Sequence, residues 1–172
     1  MEFDKVLENR FCCRSFQDKK IEPEKFQAIL ETANSAPSAG NLQAYYIFGV
    51  SHKQKKLELA KAALNQMFIN EAPLVLVFCA NPEKSAIKYG ERGRNLYSIQ
   101  DATIAATFAW LKAVNLGLGA VWVGAFDEKE VKEILGAEEN LKPVVIMPIG
   151  YCQEEKEERR REKIEKHLSF IE

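Results

Sequence analysis

The stretch Ile99–Leu116, with the sequence IQDATIAATFAWLKAVNL, decides the fold that we expect for this chain of 172 residues. It predicts a helix with apolar residues on nearly every face, and such a helix has to be buried. A chain of this size has few other elements to surround it, so we expect part of the helix to pack against a second subunit. The alternative is a central core helix in a monomer.

Hydrophobic spacing predicts three helices and two strands before the buried helix. They are, in chain order, a helix carrying Phe3, Val6 and Leu7, a helix from Pro23 to about Ala36, the strand Tyr45–Val50, a helix marked by Leu57, Ala60, Leu64 and Met67, and the strand Leu74–Cys79. Residues 81–97 are polar and irregular, and no element is assigned there.

Shorter elements are predicted after the buried helix. They are the strand Ala120–Val123, a helix through Leu135 that begins at the capping pair Asp127 and Glu130, and the strand Val144–Ile149. The run Glu154–Lys166 is charged except at Ile164, which is typical of a solvated tail or helix. No repeat or linker interrupts the chain, so we expect one α+β domain over residues 1–172, built as a sandwich of helices on a sheet, with a charged tail from about residue 154.

The composition is that of an ordinary globular protein, with 47% hydrophobic and 28% charged residues and a formal net charge of −1. This balance gives no indication of a nucleic-acid or anionic membrane partner. The first ten residues carry five charges, unlike a signal peptide, and the longest apolar stretch is too short to cross a bilayer. We therefore expect a cytoplasmic protein without a membrane partner.

The four cysteines, Cys12, Cys13, Cys79 and Cys152, have no metal-ligand or redox-motif spacing, and we interpret them as reduced thiols. Cys79 lies in an apolar run and is expected to be buried. The two histidines are far apart in polar stretches, so no metal site is expected.

Common catalytic motifs are missing from the sequence. Gly117, Gly119 and Gly124 follow a helix and precede a strand, which is the reverse of the order in a dinucleotide-binding loop. The chain has no phosphate loop of the GK[ST] type, no GxSxG elbow and no HExxH motif, so hydrolase and kinase interpretations find no support.

Three segments do indicate a site. Arg10–Phe16 brings two arginines four residues apart, and guanidinium groups bind phosphate with two hydrogen bonds at once; two surface arginines can also be merely solvated. Ala36–Gln43 has small residues that let a flat ring approach the backbone and amides for the edge of a heterocycle, although it could be a simple turn. Gly117–Asp127 is either a third part of the site or a helix stop, a strand and a helix cap.

Together and in this order, the three segments resemble the FMN-dependent nitroreductase family, over about Leu7 to Gly150. The family's opening R-R-S-x-R-x-F is similar to Arg10–Phe16, and its P-S-x-x-N-x-Q-P is similar to Pro37–Ala44. Its Asp-led apolar helix ending in G-L-G, followed by a strand and a W-x-G turn, is similar to the stretch from Asp101 to Gly124, and its last strand ends like Ile149-Gly150-Tyr151.

The resemblance implies a three-layer α/β/α sandwich, an intertwined homodimer and FMN bound at the subunit interface. The cofactor-binding residues that it implies are Arg10, Phe11, Cys12, Arg14, Pro37, Ser38, Ala39, Asn41, Val123, Gly124, Ala125, Arg159 and Arg161. Arg10, Cys12 and Arg14 would contact the phosphate, ribityl chain or pyrimidine edge. The partner subunit would contribute Pro37, Ser38, Ala39 and Asn41. Val123–Ala125 would lie over the flavin ring, and Arg159 or Arg161 would complete the phosphate site.

Some positions depart from the family pattern. Cys12 replaces a serine and is a weaker hydrogen-bond donor, Phe11 replaces a basic or polar residue, and Ala125 replaces a second glycine. The implied activity is reduction of FMN by NADH or NADPH, followed by reduction of a small acceptor such as a nitroaromatic or a quinone in a ping-pong sequence. The alternatives are a flavin-based dehalogenase, a flavin-cleaving enzyme of cobalamin biosynthesis and a non-catalytic FMN- or nucleotide-binding sensor.

Overall fold

Four antiparallel strands form the middle layer of the structure, a computed structural model that describes residues 1–156 and 160–171. The strands are β1 (Tyr45–Val50), β2 (Leu74–Ala80), β3 (Gly119–Ala120) and β4 (Lys142–Gly150). Their order across the sheet is β1-β2-β4-β3. The central strands β2 and β4 are almost wholly buried, which explains their continuous apolar sequence.

Helices cover both faces of this sheet. They are α1 (Phe3–Asn9), α2 (Pro23–Asn34), α3 (Lys53–Ala62), α4 (Phe68–Glu71), α5 (Pro82–Arg92), α6 (Ser98–Asn115) and α7 (Glu128–Leu135). A hydrophobic core lies on each face of the sheet, and alternate residues of β2 point into one or the other. Leu76 and Phe78 pack with α2 and α6, whereas Val75 and Val77 pack with α3, α4 and α7. The three-layer α/β/α sandwich is therefore confirmed.

The long buried helix is α6, one residue displaced from its predicted bounds. Five alanines of α6 are fully buried, and all but the first pack with the sheet and α2: Ala102, Ala105, Ala106, Ala109 and Ala113. Ile104, Phe108 and Leu111 form another face, which is only partly buried within one chain. This face is where contact with a second subunit is expected.

The connection after α3 differs from the prediction. The helix ends at Ala62, and Leu64 and Asn65 adopt left-handed backbone angles, with φ of 57° and 60°. Leu64 is 71% exposed, so neither it nor Met67 belongs to the apolar side of α3. A one-turn helix, α4, follows instead, because the left-handed turn redirects the chain.

Residues 81–97, left unassigned from the sequence, are helical. Asn81 caps α5 by accepting a hydrogen bond at Oδ1 from the backbone N–H of Lys84 (3.0 Å), and Pro82 occupies the first turn. At Gly90 the backbone leaves helical angles, and a π-helical turn, Gly93–Tyr97, leads into α6. The polar sequence concealed α5 because most of its surface is exposed.

The segment after α6 is less regular than the predicted strand Ala120–Val123. Only Gly119–Ala120 forms β3, and Val123 pairs separately with Ile146 of β4 through two backbone hydrogen bonds of 3.0 Å. The predicted capping of α7 is confirmed, since Asp127 Oδ1 accepts from the N–H of Glu130 at 2.9 Å. Within the described residues, no helix combines the length and hydrophobicity that crossing a membrane requires.

A disulfide joins Cys13 to Cys152, so the expectation of four reduced thiols is wrong. The two residues are 139 positions apart in sequence, and they meet because residues 12–17 lie alongside both β3 and the chain that follows β4. Glu154 also lies within 4.8 Å of both sulfurs, but bonded sulfurs are not available as thiolate metal ligands. Cys12 and Cys79 are free.

Titration with a disulfide-type thiol reagent is expected to separate the four cysteines into three classes. Cys12, at a partly exposed position, should react in the native protein, whereas burial raises the pKa of Cys79 to about 12 and should prevent its reaction at pH 8. We expect one reactive thiol in native protein, two after denaturation and four after denaturation with reduction. Four reactive thiols in the denatured but unreduced protein would contradict the disulfide.

Candidate functional site

Residues Arg10–Phe16, which we call the arginine segment, lie between two parts of the chain that are distant in sequence. Cys13 donates its backbone N–H to the carbonyl of Ala120 (3.1 Å), which attaches the segment to β3. On its other side, Gln17 donates to the carbonyl of Tyr151 (2.8 Å), and Gln153 donates to that of Ser15 (2.9 Å). The N-terminal arginines are therefore fixed next to the beginning of the charged C-terminal segment.

A cavity of about 980 Å³, which we call the cationic cavity, opens between these two segments. It is lined by Leu7, Arg10, Phe11, Cys12, Arg14, Glu154, Glu155, Lys156, Arg160 and Arg161. Of the lining residues that the structure describes, five are cationic and two are acidic. The excess of positive charge favours an anionic ligand, and the guanidinium groups are suited to a phosphate.

Aromatic side chains hold two of the arginines. The guanidinium of Arg10 lies 4.8 Å from the ring centroid of Trp110 on α6, and that of Arg14 lies 6.0 Å from Phe68 on α4. Both distances are in the range of cation–π contacts. These contacts limit the positions of the two guanidinium groups without using their hydrogen-bond donors.

The acidic residues of the cavity compete with an anion for one donor. The carboxylate of Glu154 accepts a hydrogen bond from the backbone N–H of Arg14. Lys156 donates from its ammonium to the carbonyl of Glu8, which ties the C-terminal segment to α1. An anion in the cavity would be bound mainly by side-chain cations rather than by this backbone N–H.

A second cavity, of about 490 Å³, lies at the other end of α6. It is lined by Pro37, Ser38, Ala39, Tyr97, Gln100, Asp101, Thr103 and Ile104. From Asp101 to Trp110, which contacts Arg10, α6 advances by nine residues, or roughly 14 Å. Within one chain, Pro37, Ser38 and Ala39 therefore lie away from the cationic cavity.

Asp101 positions the loop of the second cavity. Its side chain is 1% exposed, and its carboxylate accepts hydrogen bonds from the backbone N–H groups of Ala39 (2.9 Å) and Ala44 (3.3 Å). Burial and the nearby charge of Asp101 together raise the pKa of Tyr45, the next residue along. The buried carboxylate thus replaces the backbone partners that this loop lacks.

The loop itself turns sharply between Pro37 and Gln43. Gly40, Asn41 and Gln43 have φ values of 57°, 59° and 44°. Ser38 closes the turn by accepting the backbone N–H of Gln43 at Oγ (2.9 Å). The loop presents Pro37, Ser38 and Ala39 to the second cavity, whereas Asn41 is exposed and is not among the lining residues.

The other predicted site residues are distributed as follows. Val123 is buried by its pairing with β4, and Gly124 and Ala125 are exposed immediately after it; these three line neither cavity and stay predictions. Arg161 lines the cationic cavity, whereas Arg159 lies outside the described residues. Arg160 also lines the cavity and was not predicted, because a continuous charged run has no period that shows which side chains face inward.

Comparison with known proteins places the chain in a family. A model described as "Nitroreductase family" matches residues 7–83 and 49–151. An Archaeoglobus fulgidus protein, provisionally named as an NADH dehydrogenase/NAD(P)H nitroreductase, is 29% identical over 157 residues, which cover 89% of this chain and 87% of that protein. The FMN reductase [NAD(P)H] of Bacillus subtilis is 31% identical over 163 residues, covering 87% of this chain but only 66% of its own length.

A solved structure agrees with these relationships. Nitroreductase A from Vibrio parahaemolyticus superposes with a TM-score of 0.91 at 26% identity, over 100% of this chain and 77% of that chain. The family model and the structural match span the arginine segment, the Pro37–Gln43 loop and the segment after α6. The chain therefore belongs to the nitroreductase family.

Proposed function

We propose that this protein is an NAD(P)H-dependent FMN oxidoreductase that transfers electrons to a small acceptor in a ping-pong sequence. The cationic cavity carries the proposal, because it brings Arg10, Arg14 and Arg161 together around a space suited to a phosphate. The names of the relatives, an FMN reductase and nitroreductases, agree with this activity. Bound FMN supplies the group that accepts hydride and passes the electrons on.

The residues of the cationic cavity have two tasks in this proposal. Side chains of Arg10, Arg160 and Arg161 bind the phosphate, which fixes the orientation of the rest of the cofactor. Arg14 is the candidate for the cation near the pyrimidine edge, where it stabilises the negative charge gained on reduction. Cys12 is a partly exposed lining residue and offers a weak donor to the same ligand.

The two cavities are best explained as halves of a composite site in a homodimer. The cationic cavity of one subunit would then meet the loop residues Pro37, Ser38, Ala39 and Asn41 of the other. The separation of roughly 14 Å within one chain does not prevent this, because the two regions come from different subunits. The partly buried face of α6 supplies the apolar contact surface for this assembly. A light-scattering mass of two chains, with one FMN bound per chain, would support this arrangement.

NADH and NADPH remain alternative donors, and nitroaromatics and quinones are the proposed acceptors. Both substrates would use the same position beside the flavin in turn, which is the physical basis of ping-pong kinetics. The alternative functions, enzymatic or not, differ from this proposal in whether NADH or NADPH reduces the bound FMN. A dehalogenase, a flavin-cleaving enzyme or an FMN-binding sensor would hold the cofactor without its rapid reduction by either nucleotide.

Anaerobic addition of NADH or NADPH to the FMN-loaded protein tests the proposal. We expect loss of the yellow flavin absorbance with at least one donor, and its return when a quinone or nitroaromatic is added. Bound FMN that neither donor reduces would contradict the oxidoreductase and favour one of the alternatives. A protein that binds no FMN at all would contradict the whole proposal.

A further inference from the structure

Three exposed cations of the α5 region lie beside the Pro37–Gln43 loop and have no role so far. They are Lys84, Lys88 and Arg92, which we call the α5 cation surface. The ammonium of Lys84 donates to the carbonyl of Gln43 at 3.2 Å. That of Lys88 lies only 2.7 Å from the position that a Cβ atom on Gly40 would take. The surface therefore borders the loop that lines the second cavity.

Two tyrosines connect this surface to the second cavity. Tyr89 and Tyr97 meet edge to face with 5.1 Å between ring centroids, and Tyr97 lines the cavity. Lys88 lies 5.4 Å from the Tyr89 ring, and the guanidinium of Arg92 lies 5.4 Å from the Tyr97 ring. Arg92 also donates from Nε to the Tyr97 hydroxyl at 2.9 Å. Cations next to aromatic rings are suited to a ligand with both phosphates and a flat base.

Neighbouring acidic residues do not neutralise these cations. Glu83 and Glu91, the two acidic residues of α5, both pair with Arg94. Over the described part of the chain, no carboxylate lies within 4.0 Å of the charged groups of Lys84, Lys88 or Arg92. A cluster of cations without carboxylate partners attracts an anion. Because this cluster lies beside the second cavity, the anion is expected to be part of a ligand that enters that cavity.

We propose that the α5 cation surface binds the phosphates of the reduced nicotinamide dinucleotide while its nicotinamide end enters the flavin site. This inference rests on the proposed function, because that function brings such a donor to the Pro37–Ala39 side of the site. Two phosphate groups could be recognised here: the pyrophosphate, which both donors contain, and the 2′-phosphate, which only NADPH contains. Lys88 and Arg92 are the phosphate-binding residues, whereas Lys84 also holds the loop through Gln43.

The test compares Lys88→Gln/Arg92→Gln with the wild type. Two readouts are used on FMN-loaded protein: KM for NADH and NADPH, and calorimetric binding of adenosine 2′,5′-bisphosphate and of ADP to the oxidised form. We expect about tenfold weaker binding for the affected ligands, because the variant loses two exposed charge contacts with the phosphates. Lys88→Arg/Arg92→Lys keeps both charges and should retain most of the affinity. Lys61→Gln/Lys129→Gln removes the same charge from α3 and α7 and should change neither readout.

Each outcome has a defined meaning. Weakening of NADPH and the 2′,5′-bisphosphate alone supports recognition of the 2′-phosphate. Equal weakening of both donors and of ADP, with a smaller effect on the 2′,5′-bisphosphate, supports the pyrophosphate. Unchanged affinities in a variant that keeps its FMN overturn the inference, even if the donors still reduce the flavin. Failure of the proposed function looks different, since neither donor then reduces FMN in the wild type. If the double variant fails to fold, the wild type decides: KM that does not rise with ionic strength overturns the inference.

Discussion

Replacing Arg14 with alanine is expected to weaken FMN binding about 10- to 100-fold, because a hydrogen bond to a charged group contributes roughly 1.5–3 kcal/mol. The contact of Arg14 with Phe68 limits the position of its guanidinium before the ligand binds. The side chain therefore loses little conformational entropy when FMN binds. Flavin reduction in FMN-saturated protein should also be slower, if Arg14 stabilises the charge gained by the cofactor. The measurements are flavin fluorescence titration and stopped-flow absorbance.

Two further variants sharpen this prediction. Arg14→Lys keeps the charge but loses the two-pronged geometry, so its affinity should fall between wild type and Arg14→Ala. Lys129→Ala removes an exposed cation of α7, which is 87% exposed, and should leave FMN binding unchanged. If Arg14→Ala binds FMN and is reduced like the wild type, the assignment of the cationic cavity is wrong.

Replacing Asp101 with alanine is expected to destabilise the protein by about 3 kcal/mol, because two backbone N–H groups, one part-buried and one buried, lose their acceptor. Those groups belong to Ala39 and Ala44, so the loop of the second cavity should lose its defined shape as well. For a chain of this length the loss corresponds to a decrease in Tm of roughly 10 °C. Thermal unfolding measures the stability, and retained FMN per chain measures the effect on the site.

Asp127→Ala is the matched control. Asp127 also accepts a backbone N–H, that of Glu130, but it caps an exposed helix end, where such a loss costs about 1 kcal/mol. We expect a smaller decrease in Tm and normal FMN content for this variant. Equal effects of the two substitutions would show that Asp101 is an ordinary hydrogen-bond acceptor rather than the group that holds the loop.

The elements predicted best from the sequence are those whose pattern of apolar residues matches their burial in the fold. The apolar run of β2 and the alanine-rich α6 are buried by the same packing that their sequences indicate. Local signals were equally informative at Asp127, where a single side chain determines the start of α7. By contrast, α5 is polar and mostly exposed, so its hydrophobic period was too weak to read, although Asn81-Pro82 marked its start.

Features that depend on contacts distant in sequence could not be read in this way. Nothing local indicates that Cys13 meets Cys152, because the pairing follows from the position of residues 12–17 between β3 and the end of β4. The same placement brings Arg160 and Arg161 to Arg10 and Arg14. The resemblance gave the expectation that a C-terminal arginine completes the site, but only the structure shows which described arginines line the cavity.

The central claim is that the cationic cavity recognises the phosphate of FMN. Comparison of FMN with riboflavin tests it most directly, because the two ligands differ only in that phosphate. Titration of apo-protein should give a dissociation constant at least about 100-fold lower for FMN than for riboflavin, as two or more charge-assisted hydrogen bonds predict. Arg161→Ala, which removes a cation assigned to the phosphate, should reduce this difference, whereas Arg14→Ala should weaken the binding of both ligands. Equal affinity of the wild type for FMN and riboflavin would contradict the claim.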